Sequence, residues 1–290
     1  MGDRDDATER VTYLIANHNL ERYVGDCLSS LVAQTNPNWL ALVVDDASTD
    51  ASRQVIARCT DARVRLLVNE HNAGYIATLR RLIAEATTDI VAVLDADDAL
   101  PPDATERLLR AYAADPGTEF VFSRFAACDE RLAVHHVWGA AVAEGSSALR
   151  DGVVGHIRSF RKRAYLRTAG LDDSMLYAED RDLVYKLEET TRPVFIDAVL
   201  YYYREVPDSQ SRDAAKRETG ARNTLRARRA ALQRRRVTGF QRLAYETFFW
   251  ADYVAYSHRT PRPARTVAGW LSRLTRLVCA RSNPRGVSGE

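Results

Sequence analysis

The chain has 290 residues, 46% hydrophobic and 28% charged, with a formal net charge of +2 at pH 7. This balance fits a globular protein with a sizeable core, and it excludes a fibrous or disordered chain and any strong overall field for nucleic acid. Cys27, Cys59, Cys128 and Cys279 lack zinc spacing or a disulfide framework, the polar stretch Met1 to Arg10 does not read as a signal peptide, and no apolar run approaches the ~20 residues that span a bilayer. A cytoplasmic chain with reduced thiols is expected.

Val11 to Ala16 reads as an apolar strand that ends in the polar turn Asn17-His18-Asn19. Tyr23 to Gln34 has apolar residues at helical spacing and stops at Asn36-Pro37-Asn38. Trp39 to Val44 is a second buried strand running into Asp45-Asp46-Ala47-Ser48-Thr49-Asp50, where Ser48, Thr49 and Asp50 look like the N-cap region of a helix over Ser52 to Cys59. A strand over Val64 to Val68, a turn over Asn69 to Gly74, a helix over Tyr75 to Ala86 and a strand over Ile90 to Leu94 follow. Strand and helix thus alternate four times with short connections, which predicts an α/β fold with a doubly wound, mostly parallel sheet flanked by helices.

Thr105 to Ala114 continues as helix and Glu119 to Phe125 as strand, whereas Ala126 to Val154 mixes short polar and apolar pieces, as the rim of an active site would. Phe160 to Ala169 reads as a basic helix, Asp180 to Glu189 as a helix opening with acids, and Pro193 to Arg204 as strands. From Ala214 to about Ala255 the pattern is helical and Arg-rich; Thr260 to Pro263 breaks it, and Ala264 to Ala280 forms a last amphipathic helix. A boundary is expected near Ser211, between an α/β domain, 1–211, and a basic, partly amphipathic C-terminal helical extension, 212–290.

The chemistry concentrates at strand ends. Asp95-Ala96-Asp97-Asp98 packs three carboxylates onto the end of the buried run Ile90 to Leu94, and the prolines Pro101 and Pro102 prevent regular structure just beyond. Ligands of open α/β sheets bind at the carboxyl ends of strands. Crowded carboxylates stay ionised when a cation lies between them, and a hard divalent metal held through oxygen does this while also binding a diphosphate. The plainer alternative is a solvated acidic turn. Asp46, at the end of the second strand, suits a hydrogen bond from a base N–H or a ribose hydroxyl, although taken alone it reads as a turn acid; Asp50 reads as structural. Downstream, Ala178-Glu179-Asp180-Arg181-Asp182-Leu183 sets acids in the first turn of a helix, whose dipole favours the anionic form and so suits a general base.

Taken in order, these segments resemble family 2 glycosyltransferases of the GT-A type. The matching pieces are Ala16-Asn17-His18-Asn19, Asp45-Asp46-Ala47-Ser48-Thr49-Asp50, the Asn72-Ala73-Gly74 turn, Asp95 to Asp98, Phe160-Arg161-Lys162-Arg163, Gly170-Leu171-Asp172, Glu179-Asp180 and Tyr203-Arg204. The resemblance covers roughly Val11 to Ser211. It implies that Asp46 meets the nucleobase with Ala16 and Asn19 lining the same pocket, and that Asp95 and Asp97 hold ribose and metal-diphosphate. It also gives Asp98 a share of the metal, Mn²⁺ or Mg²⁺, and makes Asp180 the base that activates an acceptor hydroxyl. The implied partners are a nucleotide-diphosphate sugar, with UDP-sugar preferred, and a hydroxyl acceptor.

Two departures stand out. The helix after Gly74 often carries an Arg-Asn pair in this family where this chain has Leu79-Arg80, and the histidine that often follows the Tyr-Arg strand end is missing from Glu205-Val206-Pro207-Asp208-Ser209. Arg226, Arg228, Arg229, Arg234, Arg235 and Arg236 form a basic cluster, and Trp270, Leu271, Leu274, Leu277 and Val278 an apolar helix face. These helices either lie peripherally on an anionic membrane surface at its inner face, or pack on the domain or on a second copy in a homo-oligomer. The rival functional readings are a non-catalytic nucleotide-sugar-binding scaffold and a nucleotidyltransferase, which lacks here its Gly-rich basic loop over Ile15 to Tyr23.

Overall fold

The computed structural model describes residues 9–144, 146–151, 154–206 and 213–257, without the side chains of 151, 251 and 254–257. The last amphipathic helix over Ala264 to Ala280, Cys279 and the boundary near Ser211 lie outside the described residues. The chain divides into two compact units: Met1–Ala141, Val153–Leu171 and Thr190–Pro207 form the first, and Val142–Gly152, Asp172–Glu189 and Asp208–Glu290 the second.

The first unit is built on one eight-stranded sheet. Its centre is β1 (Val11–Asn17), flanked by β2 (Trp39–Asp45) and β4 (Ile90–Val93), with β3 (Val64–Val68) beyond β2, all parallel. β1, β2 and β4 are buried almost throughout, as parallel strands covered on both faces require. β7 (Arg158–Arg161) runs antiparallel to β4, β5 (Phe120–Cys128) antiparallel to β7 and to β6 (Val134–Trp138), and β8 (Pro193–Arg204) parallel to β5. The sheet is therefore mixed, with the parallel pairings dominant. The helices α1 (Val24–Val32), α2 (Ser52–Ala57), α3 (Tyr75–Glu85) and α4 (Ala104–Ala114) supply the crossovers.

One expectation is corrected here. The segment Phe160 to Ala169 is not a single basic helix: β7 occupies Arg158–Arg161, and only Lys162–Leu166 is helical, as α6. Its arginines mimic a solvated helix face, but Arg161 is buried and paired with Glu9 at 2.6 Å and Asp89 at 3.2 Å. Charge compensation thus lets a basic tetrapeptide serve as an inner strand. The irregular stretch from Ala126 likewise contains the end of β5 and the exposed edge strand β6.

Trp39, Tyr13, Leu31, Phe120 and Phe160 are among the largest fully buried side chains. Leu31 packs from α1 into the main core with Val24, Cys27 and Leu28. Leu31→Ala is expected to destabilise the fold by about 2–5 kcal/mol, read as a lower urea midpoint at unchanged slope.

The second unit gathers α5 (Ala148–Asp151), α7 (Glu179–Thr190), α8 (Ala214–Arg234) and α9 (Gly239–Ser257). The Arg-rich pattern from Ala214 is two helices rather than one, parted where Arg236 and Gly239 adopt positive φ. The basic cluster is largely an internal ladder: Arg234 and Arg235 pair with Glu189 and Glu188 of α7, and Arg228 and Arg229 with Asp252 and Glu246 of α9. Among the described residues no helix is long and apolar enough to cross a membrane.

Candidate active site

Strand register brings the polar ends of the first unit together. Asn17 lies opposite Asp45, and Asp45 opposite Val68, so β1, β2 and β3 finish at one level. Leu14 lies opposite Val93, which puts Asp95, two residues on, level with Ala16. The side chains then lock the turns. The Asp45 carboxylate is fully buried and accepts from Asn17 Nδ2 at 2.8 Å and from the Ser48 N–H at 3.0 Å. Asn19 sits in the left-handed region, φ 56°, which Asn tolerates better than most residues, and its Oδ1 accepts from the Thr49 N–H at 2.8 Å. Asp50 is structural as expected, accepting from the N–H groups of Ser52 and Glu21.

Asp46 is 4% exposed, and its carboxylate accepts from Asn69 Nδ2 at 2.6 Å and from the N–H groups of Ala73 and Gly74 at 2.8 and 2.9 Å. It therefore grips the Asn72-Ala73-Gly74 turn, in which Gly74 has φ +84°. Burial works to raise this carboxyl, but the hydrogen bonds from Asn69, Ala73, Gly74 and Thr78 outweigh it and hold the group below its ordinary 3.8. A depressed acid stabilises the fold above its unfolded pKa and loses that contribution as pH falls through the folded value. Asp46→Ala is expected to lower stability by about 1–3 kcal/mol at pH 7. The gap from wild type should close in melts taken below pH 3.8. A gap that stays constant with pH refutes the ionic role.

At the end of β4, Asp95 accepts from Tyr75 Oη at 3.2 Å and Tyr201 Oη at 3.4 Å, and Arg158 stands 3.9 Å from its Oδ2. Asp98 is 1% exposed; its Oδ1 accepts from the Arg204 N–H at 2.7 Å, while its buried Oδ2 makes no hydrogen bond of regular geometry. Asp97 is only partly buried. Burial, then the charge of Asp95, pushes Asp97 up to about 6, and burial with the charges of Asp97 and Asp95 pushes Asp98 well up. The side chain of Arg204 is spent on structure: it donates to the Asp97 carbonyl at 2.7 Å, to Asp26 at 3.0 Å and to the Glu130 carbonyl. His156 stacks on Tyr201 at 4.3 Å between ring centroids, and burial first, with Arg158 nearby, pushes its pKa well below the usual histidine range.

In the second unit Asp180 occupies the first turn of α7, where its Oδ1 accepts from the Arg181 N–H at 2.7 Å. The turn before it is braced by α8. Asn223 donates to the Leu176 carbonyl at 2.8 Å, and a Cβ on Gly220 would lie 2.8 Å from the Tyr177 carbonyl oxygen, a close approach only glycine permits. Asp182, two residues on, is buried in a 2.5 Å ion pair with Lys186.

The model of Glycosyl transferase family 2 matches residues 12–171, more than half of the chain. The chain belongs to this family. The family 2 chain is 33% identical over 121 residues to the putative glycosyltransferase EpsH of Bacillus subtilis, covering 41% of this chain and 35% of that one. It spans about a third of the length of the first relatives it matches. TarS 1-349 of S. aureus, solved in complex with UDP-GlcNAc, superimposes with a TM-score of 0.60 at 14% identity, covering 94% of this chain and 89% of that 1-349 chain. The mannosyltransferase PcManGT of Pyrobaculum calidifontis, solved with GDP-Man and Mn²⁺, gives 0.54 at 19% identity, covering 96% and 88%. These likenesses establish the fold, of the GT-A type.

A divalent metal fits the family 2 chain at the end of β4. Among the described residues no three His, Cys, Asp or Glu side chains converge closely enough to hold an ion alone. Yet the mutual repulsion at Asp97 and the orphaned Oδ2 of Asp98 are what a cation would relieve. Ions such as Mg²⁺ commonly bind one or two carboxylates and complete their shell with substrate phosphates and water. Sequence reading missed Asn69, Tyr75, Tyr201 and Arg158. The Tyr201-Tyr202-Tyr203 run was the one available signal; the others become visible only once register brings them to Asp46 and Asp95.

Proposed function

We propose that this protein is an inverting, metal-dependent glycosyltransferase that moves a sugar from a nucleotide-diphosphate sugar, a UDP-sugar in our reading, to an acceptor hydroxyl. The observation that carries the proposal is the crowding of Asp95, Asp97 and Asp98 at the end of a buried parallel strand in a family 2 chain. In this reading Ala16, Asn19 and Asp46 border the nucleobase, with Asp46 acting mainly through the turn it grips. Asp95, oriented by two tyrosine hydroxyls, takes the ribose. Asp97 holds the metal, and Asp98 shares it while tying the motif to β8. Such an ion stabilises negative charge on the departing diphosphate. Asp180 receives the acceptor's proton as its oxygen attacks the anomeric carbon opposite the leaving group, and inversion follows from that in-line displacement. The UDP-GlcNAc and GDP-Man complexes of fold neighbours support a nucleotide sugar as donor.

Thermal shift against a panel of UDP- and GDP-sugars with Mn²⁺, followed by release of free nucleoside diphosphate, tests the reading. Donor-dependent stabilisation with slow hydrolysis is expected. Binding without turnover on any acceptor favours a scaffold, and no stabilisation by any nucleotide sugar overturns the proposal.

A further inference from the structure

The segment that leads into Asp180 is held in place by another helix. Tyr177 has φ +64°, in the left-handed region, which an aromatic residue adopts only where its surroundings impose it. α8 supplies that constraint from successive i, i+3 positions. Gly220 lets the helix backbone approach Tyr177, where a Cβ would stand 2.8 Å from the carbonyl oxygen and 3.3 Å from the Tyr177 Cβ. Asn223, 6% exposed, donates to the Leu176 carbonyl at 2.8 Å. Arg226 donates to the Ser174 carbonyl and hydroxyl, both at 3.3 Å, and to Asn223 Oδ1 at 3.1 Å, which turns the Asn223 N–H groups toward Leu176. At the far end of α7, Arg234 and Arg235 pair with Glu189 and Glu188 at 2.7 and 2.9 Å, so α8 braces both ends of the helix that carries Asp180.

Glycine is a poor choice inside a helix, yet Gly220 lies in the interior of the 21 residues of α8, at the point where that helix meets Tyr177. Local propensity yields there to position, as it does beside functional elements. Position is what a general base needs: its oxygen must lie within hydrogen-bond reach of the attacking hydroxyl, and a shift of about 1 Å can cost on the order of a hundredfold in rate. We propose that α8 is the positioning element of the base: Gly220, Asn223 and Arg226 hold residues 174–177 in the conformation that presents the Asp180 carboxylate to the acceptor hydroxyl. The Arg-rich helix is then part of the catalytic apparatus and not an appendage to it. The inference rests on the reading of Asp180 as the general base.

A double-mutant cycle on the full chain tests it, with Mn²⁺-dependent release of UDP from UDP-GlcNAc, or of nucleotide from the nucleotide sugar that the panel selects, as the measured rate. Asn223→Ala should lose about tenfold to a hundredfold in kcat, while calorimetry gives an unchanged Kd for UDP. In the Asp180→Asn background the same change should cost less than about twofold, because a base that is gone cannot be misplaced. Arg226→Gln removes only an exposed side chain and guards against an alanine variant that does not fold. It should show the same non-additivity at a smaller, several-fold loss. Equal losses in both backgrounds would make α8 a support of the fold alone and overturn the proposal, as would an unchanged rate in either variant. Asp180→Asn protein that keeps its full rate refutes the reading of the base, and wild-type protein that releases no nucleotide refutes the reading of the site; the inference falls with each.

Discussion

Asp180→Asn is expected to bind the donor like wild type and to lose transfer by about 10²–10⁴-fold, because an amide cannot accept the acceptor's proton. The loss should fall on kcat, with little change in donor Kd. The neighbours on α7 make the test specific. Glu179 is rotated by about 100° from Asp180 on a helix of 3.6 residues per turn, so Glu179→Gln should be the milder change. Asp182 shares the turn but is buried against Lys186, and Asp182→Ala breaks that buried ion pair. It should cost about 3–5 kcal/mol of stability, whereas Asp180→Asn should melt near wild type. Three acids within four residues thus separate by readout: rate for Asp180, stability for Asp182, and neither strongly for Glu179. Near-normal transfer by Asp180→Asn beside an inactive Glu179→Gln would exchange their roles.

The alternating half of the fold is plain in the sequence because buried parallel strands are short, continuous and apolar. Val11 to Ala16, Trp39 to Val44 and Ile90 to Leu94 could be little else, and each observed strand differs from those bounds by one residue at most. β7 is concealed because Arg158 and Arg161 obey charge compensation, not hydropathy, and their partners are remote in sequence. The Arg-rich stretch after Ala214 was ambiguous for the same reason: composition records the cations but not Glu188, Glu189, Glu246 and Asp252, which answer them. Strand-end acids mark candidate positions, and only register shows what each acid contacts. Asp46 looks like a ligand group and is found gripping a turn; Asp98 looks like its neighbour Asp97 and is found tied to the backbone of β8.

That last difference yields the second large expected effect. Asp97→Asn should abolish most of the gain in UDP affinity that Mn²⁺ provides, worth several kcal/mol where an ion neutralises phosphate charge. The same change removes one of three crowded like charges, so in EDTA the variant should melt no lower than wild type. Asp98→Ala should behave differently, since it deletes the acceptor of the buried Arg204 N–H. An orphaned buried donor costs about 1–3 kcal/mol, so this variant should melt lower even without metal or donor. Calorimetric titration of UDP with and without Mn²⁺, paired with melts in EDTA, separates the two acids. If Asp97→Asn keeps the full Mn²⁺-dependent gain while Asp98→Asn, which retains an oxygen for Arg204, loses it, the metal belongs to Asp98. The outcome expected here is the reverse, because Asp97 is the acid that reaches solvent while Asp98 spends one oxygen on the strand that closes the motif.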